Sequence, residues 1–173
     1  MSTLALFAGP FLASLFLTGV LRNLALRVRL IDLPVDRSAH SQPTPVGGGL
    51  AIVCLFALLA SYYFVTGVIA LAEYMALSGG VVIAVVGLID DLSQLDLRWR
   101  IPLQFGSAIW SVWWLGDVPP IGIGDWVLQV QWLLNGLAIV ALVWLLNLYN
   151  FMDGIDGLAG SELLFVNLSC LLF

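Results

Sequence analysis

Three polar clusters interrupt an otherwise apolar chain, and their residue types suit phosphate and divalent-cation chemistry. In Asn147-Leu-Tyr-Asn-Phe-Met-Asp-Gly-Ile-Asp-Gly-Leu-Ala-Gly160, helical spacing puts Asn150 and Asp153 on one face, with Asp156 a further turn on from Asp153. Gly154, Gly157 and Gly160 remove side chains between them. A ligand can then approach the backbone where the next helix begins and its free N–H groups favour phosphate. Hard oxygen ligands of this kind suit Mg2+, which binds through one or two protein groups and the substrate's own phosphates. The adjacent carboxylates Asp90 and Asp91 repel each other and need a cation, supplied either by nearby Arg98 and Arg100 or by a divalent metal. Alone, the pair equally describes a hydrated helix end. In the first cluster, residues 32–49, Pro43-Thr44-Pro45 sets an extended segment and Gly47 to Gly49 allow close backbone approach before a helix, which alone is a rigid turn. Arg37 and the single histidine, His40, gain chemical meaning only beside a phosphate-lined cleft.

These side chains must be held by membrane helices. The chain has 173 residues, 61% apolar and 10% charged, with a mean hydropathy of +1.05. That leaves too little polar surface for water, which disfavours a soluble enzyme and a disordered regulator. A net charge of −5 and a pI near 4.4 give no electrostatic footprint for DNA or RNA, so no nucleic-acid partner is expected. Cys54 and Cys170 stand in apolar runs with no metal spacing and read as packing residues.

A span needs about 20 apolar residues. Leu4 to Leu21 is the first; arginines follow it rather than precede it, so it reads as an uncleaved anchor with its amino end outside. Residues 50–89 suffice for two helices, with a break between Thr66 and Glu73. Ile101 to Leu115 makes a fourth, with Pro102 in its first turn and Trp110, Trp113 and Trp114 suited to an interfacial belt. Gly116 to Trp126 is a loop or short hairpin, Val127 to Leu148 a fifth span, and Leu158 begins a sixth that reads as cut off inside the membrane at Phe173. The expected fold is all-α: one integral-membrane domain over 1–173, a polytopic transmembrane helix bundle with about six spans in a fragment.

The loops at about 22–49 and 90–100 hold all the arginines, so the positive-inside rule puts them, and the turn at 149–157, in the cytoplasm. All three polar clusters then share one face, with seven of the nine aspartates. An ionised side chain at mid-bilayer costs about 3 kcal/mol on insertion scales, so polar groups crowded at helix ends face water, a partner or a ligand.

Together, Asp-x-Pro-x-x-Arg-x-x-His-x-x-Pro-Thr-Pro-x-Gly-Gly-Gly (32–49), Gly-Leu-Ile-Asp-Asp-Leu (87–92) with Arg-Trp-Arg (98–100), and Asn-x-x-Asn-Phe-Met-Asp-Gly-Ile-Asp-Gly-Leu-Ala (147–159) resemble the polyprenyl-phosphate sugar-1-phosphate transferases, glycosyltransferase family 4. The resemblance implies ten or eleven spans in all, in a bacterial inner membrane. It also implies Mg2+-assisted transfer, with Mn2+ as the alternative ion, of an N-acetylhexosamine 1-phosphate from a UDP-sugar to undecaprenyl phosphate. The wording is closest to the O-antigen branch of the superfamily.

By the same resemblance Asp90 and Asp91 are the catalytic pair beside the lipid phosphate, Asn150 binds metal, and Asp153, Gly154 and Asp156 line the uridine nucleotide pocket. Arg37, His40, Thr44, Arg98 and Arg100 join them as substrate-binding residues. Two anions that must meet need cations and a metal rather than covalent chemistry from the protein. Val46 departs from the basic residue common after Pro-Thr-Pro. The family's later Gly-Asp and His motifs would follow Phe173, so the fragment alone is expected to be inactive. A homodimer is left open.

Two rivals differ in what they require. A CDP-alcohol phosphotransferase also uses Asp-Gly and Mg2+, but its motif continues to two further aspartates, whereas here Asp156-Gly-Leu-Ala-Gly leads only to Glu162. A cation transporter requires carboxylates at mid-bilayer depth on several helices.

Overall fold

The computed structural model describes residues 3–27, 31–32, 44–45, 48–93, 95–152 and 157–170. Six helices dominate it: α1 (Thr3–Arg27), α2 (Gly49–Val65), α3 (Leu71–Ser93), α4 (Leu97–Leu115), α5 (Gln131–Met152) and α6 (Leu158–Cys170). Two small antiparallel pairs join them, β1 (Ile31–Asp32) with β2 (Thr44–Pro45), and β3 (Ile121–Ile123) with β4 (Trp126–Leu128). The helices pack in sequence order, α1 on α2 through to α5 on α6. Ala8–Arg27, Leu71–Ser93 and Gln131–Met152 are long and apolar enough to cross a membrane, and Gly49–Val65 is a shorter apolar helix. The expected all-α membrane bundle is the fold observed.

Its interior is built from small side chains. Ala25, Ala51, Ala60, Ala76 and Ala108 are buried, Leu134 is the one large side chain fully enclosed among the described residues, and leucines, phenylalanines and valines cover the outside. Lipid is as apolar as leucine, so burial of large side chains does not drive these helices together; close approach and interhelical hydrogen bonds do. The seam between α3 and α4 shows both. Gly79 is buried against α4, Ser107 Oγ donates to the Gly79 carbonyl at 2.6 Å, Ser111 Oγ to Ala76 at 2.9 Å, and Trp110 Nε1 to Met75 at 2.8 Å.

Local chemistry sets the turns. Gly67 adopts φ +73° after α2, with Gly67 N–H donating to Phe64 and Val68 N–H to Tyr63, the double bond of a Schellman cap. Glu73 then reaches back to accept from Ala70 N–H at 2.7 Å, so the break falls where it was expected, between Thr66 and Glu73. At α4, Asp96 caps the helix by accepting from Arg98 N–H at 3.1 Å. That cap starts the helix at Leu97 rather than Ile101, which moves Pro102 from the expected first turn to the sixth position.

Other boundaries shift as well. α1 runs through Arg22 to Arg27 rather than stopping at Leu21, because Leu24, Ala25 and Leu26 extend its apolar surface. The hairpin extends to Leu128, past the expected limit of Trp126, and α5 starts at Gln131 and reaches Met152, carrying Asn150 inside the helix. Cys54 is exposed on α2, a correction to its reading as a packing residue: among the described residues it is left uncovered. Sequential packing brings the end of α1, the start of α2, the end of α3, the start of α4, the end of α5 and the start of α6 to one end of the bundle.

Candidate functional site

Asp90 lies in the last turn of α3 and Arg100 in the first turn of α4. Their short connection faces them, and Arg100 Nη1 donates to Asp90 Oδ2 at 2.9 Å, with the two side chains 25% and 22% exposed. Arginine, one of the two sources of compensating charge open from sequence, is thus present beside Asp90. Arg98 is not part of that pair. Two residues earlier on the helix, it is rotated by about 200° and binds Asp96 instead, Nε to Oδ2 at 2.7 Å, at 77% and 51% exposure. An exposed pair of this kind contributes little.

Asp90 engages one nitrogen of the Arg100 fork. Nε of the same guanidinium is buried with no hydrogen-bond partner among the described residues. A buried cationic donor left over from an ion pair fits an anionic oxygen, and the planar fork matches phosphate geometry. Asp91 follows on the exposed side of the helix end, and Asn150 is exposed near the end of α5.

One turn deeper than Arg100 on α4 lies Gln104, buried, whose Oε1 accepts from Asn147 Nδ2 of α5 at 2.8 Å. Asn147 also donates to Val143 of its own helix at 2.8 Å. Bonds of this type between membrane helices average about 0.6 kcal/mol, although an amide left unpaired there costs more. The sequence reading missed both residues as a pair. The available signal was an amide inside each apolar run, Gln104 alone in the first and Asn147 one of several in the second; with 43 residues between them, nothing local joined them.

Of the other expected site residues, Thr44 lies in β2, paired with Asp32 of β1, and the extended Pro-Thr-Pro reading holds for Thr44–Pro45. β2 packs against α1. Arg37, His40, Asp153, Gly154 and Asp156 lie outside the described residues. Gly157, just before α6, has φ +76°, a conformation that favours glycine. Among the described residues no three of His, Cys, Asp and Glu gather as a metal cage. Mg2+ takes one or two protein oxygens and completes its shell with substrate and water, so its binding needs no such cage.

A helical membrane bundle with an ion-paired carboxylate at one end, beside a guanidinium donor unmatched among the described residues, defines the class: an integral-membrane helix bundle with a charged site at its helix ends. The glycosyl transferase family 4 model matches residues 73–173, the stretch that carries Asp90, Arg100, Gln104 and Asn147. The chain belongs to that family. It is 37% identical over 164 residues to the decaprenyl-phosphate N-acetylglucosaminephosphotransferase of Mycolicibacterium smegmatis, covering 83% of this chain and 38% of the relative. It is 28% identical to the probable undecaprenyl-phosphate N-acetylglucosaminyl 1-phosphate transferase of Bacillus subtilis, over 88% of this chain and 43% of that protein. To the undecaprenyl-phosphate alpha-N-acetylglucosaminyl 1-phosphate transferase of Escherichia coli K12 it is 28% identical, with 88% and 40% covered. The chain thus spans about two fifths of the length of these curated relatives. No solved structure matches it.

Proposed function

We propose that the protein carrying this chain transfers an N-acetylhexosamine 1-phosphate from a UDP-sugar to undecaprenyl phosphate and so starts an O-antigen or another envelope glycan. The Asp90–Arg100 pair is the observation that carries this reading. A lipid phosphate oxygen attacks the phosphorus that bears the sugar; a new P–O bond forms, the bond to the nucleotide's own phosphate breaks, and UMP leaves with that electron pair. Both reactants are anions, so the barrier is set by charge, and fixed cations lower it without reorganising.

Asp90 holds the guanidinium of Arg100 in place, and Arg100 takes the larger cationic share that sequence had divided with Arg98. Asp91, next to it at the helix end, orients the lipid phosphate and accepts its proton. Asn150, with Asp153 and Asp156 beyond it, would hold Mg2+ (or Mn2+) and the uridine diphosphate. Held there, the ion would supply positive charge that offsets the charge on the diphosphate. Arg37, His40 and Thr44 complete the phosphate-binding wall. Arg22 and Arg27 at the end of α1 share the bundle end of Arg98 and Arg100, which supports a cytoplasmic site in an inner membrane with the amino terminus outside.

The test uses membranes containing the full-length protein. With UDP-GlcNAc and undecaprenyl phosphate they are expected to form a lipid-linked sugar pyrophosphate and UMP, to stop on chelation, and to resume with Mg2+. Asp90→Asn and Asp156→Ala are expected to abolish turnover. Absence of product from the unaltered protein, or unchanged turnover in both variants, rejects the reading.

A further inference from the structure

We infer that the Gln104–Asn147 hydrogen bond is the pin that sets the register between the helix bearing Arg100 and the helix bearing Asn150, and that both amides are positioning residues for transfer. The inference rests on the proposed reaction for its functional half and on geometry alone for its structural half.

Gln104 follows Arg100 by four residues on α4, and Asn147 precedes Asn150 by three on α5. The helices run antiparallel, so the bond lies about one turn, roughly 5 Å, deeper than both site residues and on the faces that carry them. Whatever sets Gln104 against Asn147 therefore sets Arg100 level with Asn150.

The remaining contact between these helices cannot do this. Apart from Gln104, and from Ser107, which bonds to α3, the buried side chains of the two helices, Ala108 and Val112 on α4 and Leu134 and Val143 on α5, are apolar. Such contacts are non-directional, and a shift along the helix replaces one with another of similar quality. The amide bond is directional. Asn147 is held from two sides, donating to Val143 O of its own helix and to Gln104 Oε1 of α4, both at 2.8 Å, so its amide plane is fixed. Sliding α5 by one turn so that Gln104 meets Asn150 leaves half-buried Asn147 facing Ala108 with only its own-helix bond, and sliding it the other way leaves buried Gln104 against Val143; either register leaves an amide without its present interhelical partner.

Polar contacts do recur at the far end of α5, where Asn135 accepts from Val118 N–H and Gln131 donates to Val118 O. These lie about 18 Å from Asn147 along the helix and hold the loop after α4, not the ends that bear the site. Bonds between membrane helices add little to association, so the pair is better suited to specifying one register than to adding strength.

The experiment is a double-mutant cycle in the full-length protein with Gln104→Leu, Asn147→Leu and both. Each single change is expected to lower kcat about 10-fold or more while KM for UDP-GlcNAc moves less than about 3-fold. The double variant is expected to be no worse than the worse single, because both remove one shared bond. A second readout is independent of turnover. Spin labels on Trp99→Cys and Phe151→Cys, both exposed positions at the site end, with Cys54 and Cys170 replaced by serine, are expected to give one narrow distance distribution that broadens with Gln104→Leu.

The exchanged pair Gln104→Asn with Asn147→Gln, which keeps both amides, is expected to restore turnover and a narrow distribution relative to either single exchange. That comparison carries the test if the leucine variants fail to accumulate. Losses that multiply in the double variant, an unbroadened distribution in Gln104→Leu, or an exchanged pair worse than its singles overturns the inference. Broadening in a protein that makes no lipid product leaves the pin standing and rejects the proposed reaction instead.

Discussion

Gly79→Ala tests whether close approach of α3 to α4 is what holds the Asp90 end together. A methyl group at Gly79 overlaps Ser111 Oγ and comes within 3.1 Å of Ser107 Oγ and 3.2 Å of the Ser107 carbonyl oxygen. The hydroxyls can rotate; the carbonyl belongs to the α4 backbone and moves only with the helix. Overpacking of this kind costs about 1–3 kcal/mol. Loss of the Ser107–Gly79 bond adds about 0.6 kcal/mol, and alanine returns about 0.8–1 kcal/mol of helix propensity. The net destabilisation is roughly 0.6–2.8 kcal/mol. Gly80, the next residue, is the internal control: nothing lies within 4 Å of a methyl there, so Gly80→Ala is expected to be neutral or stabilising by up to about 1 kcal/mol. The propensity gain is common to both, so the two variants should differ by about 1.6–3.6 kcal/mol, roughly a 14- to 370-fold difference in unfolding constant. Equilibrium unfolding of the full-length protein in bicelles reads this directly. Adding Ser111→Ala to Gly79→Ala is expected to recover part of the loss, since it removes the closest overlap. Equal stability of the Gly79 and Gly80 variants would refute the argument.

Other outcomes follow from the same geometry. Arg100→Gln is expected to lower turnover by about 100-fold or more, as for removal of one fixed charge-stabilising donor, whereas Arg98→Ala, exposed and ion-paired with Asp96, changes it by less than about 2-fold; reversed ranking of the two in a steady-state assay sinks the assignment of the cationic share. Asp96→Ala removes the α4 cap and is expected to cost about 1 kcal/mol in the same unfolding assay, with Asp96→Asn close to neutral. With the native cysteines replaced by serine, Asp125→Cys in the β3–β4 turn should react with an impermeant thiol reagent in intact cells and Ser93→Cys only after permeabilisation; the opposite pattern inverts the proposed orientation.

Much was legible in the linear order of residues because it depends on runs and neighbours. Stretches of apolar residues too long for anything but a membrane helix declared the spans, and the turn at Gly67 and Glu73 is a local device that works within a few residues. The start of α4 was equally local, since Asp96 stands before Arg98 as a cap, and the later start at Ile101 came from following hydropathy past that signal. The motifs that place the chain in its family are contiguous for the same reason.

Tertiary structure decided which of several nearby partners each polar group takes. Asp90, Asp91, Arg98 and Arg100 allow several pairings on paper; helix rotation turns Arg100 toward Asp90 and Arg98 toward Asp96. Gly79 lies 28 residues from Ser107, and Gln104 lies 43 from Asn147, so neither contact leaves a periodic trace in the chain. Hydropathy reports how deep a residue lies in the bilayer and says nothing of the angle it faces or the height at which two helices meet. Those two quantities exist only once the helices are packed, and they determine the partner that each buried polar group finds.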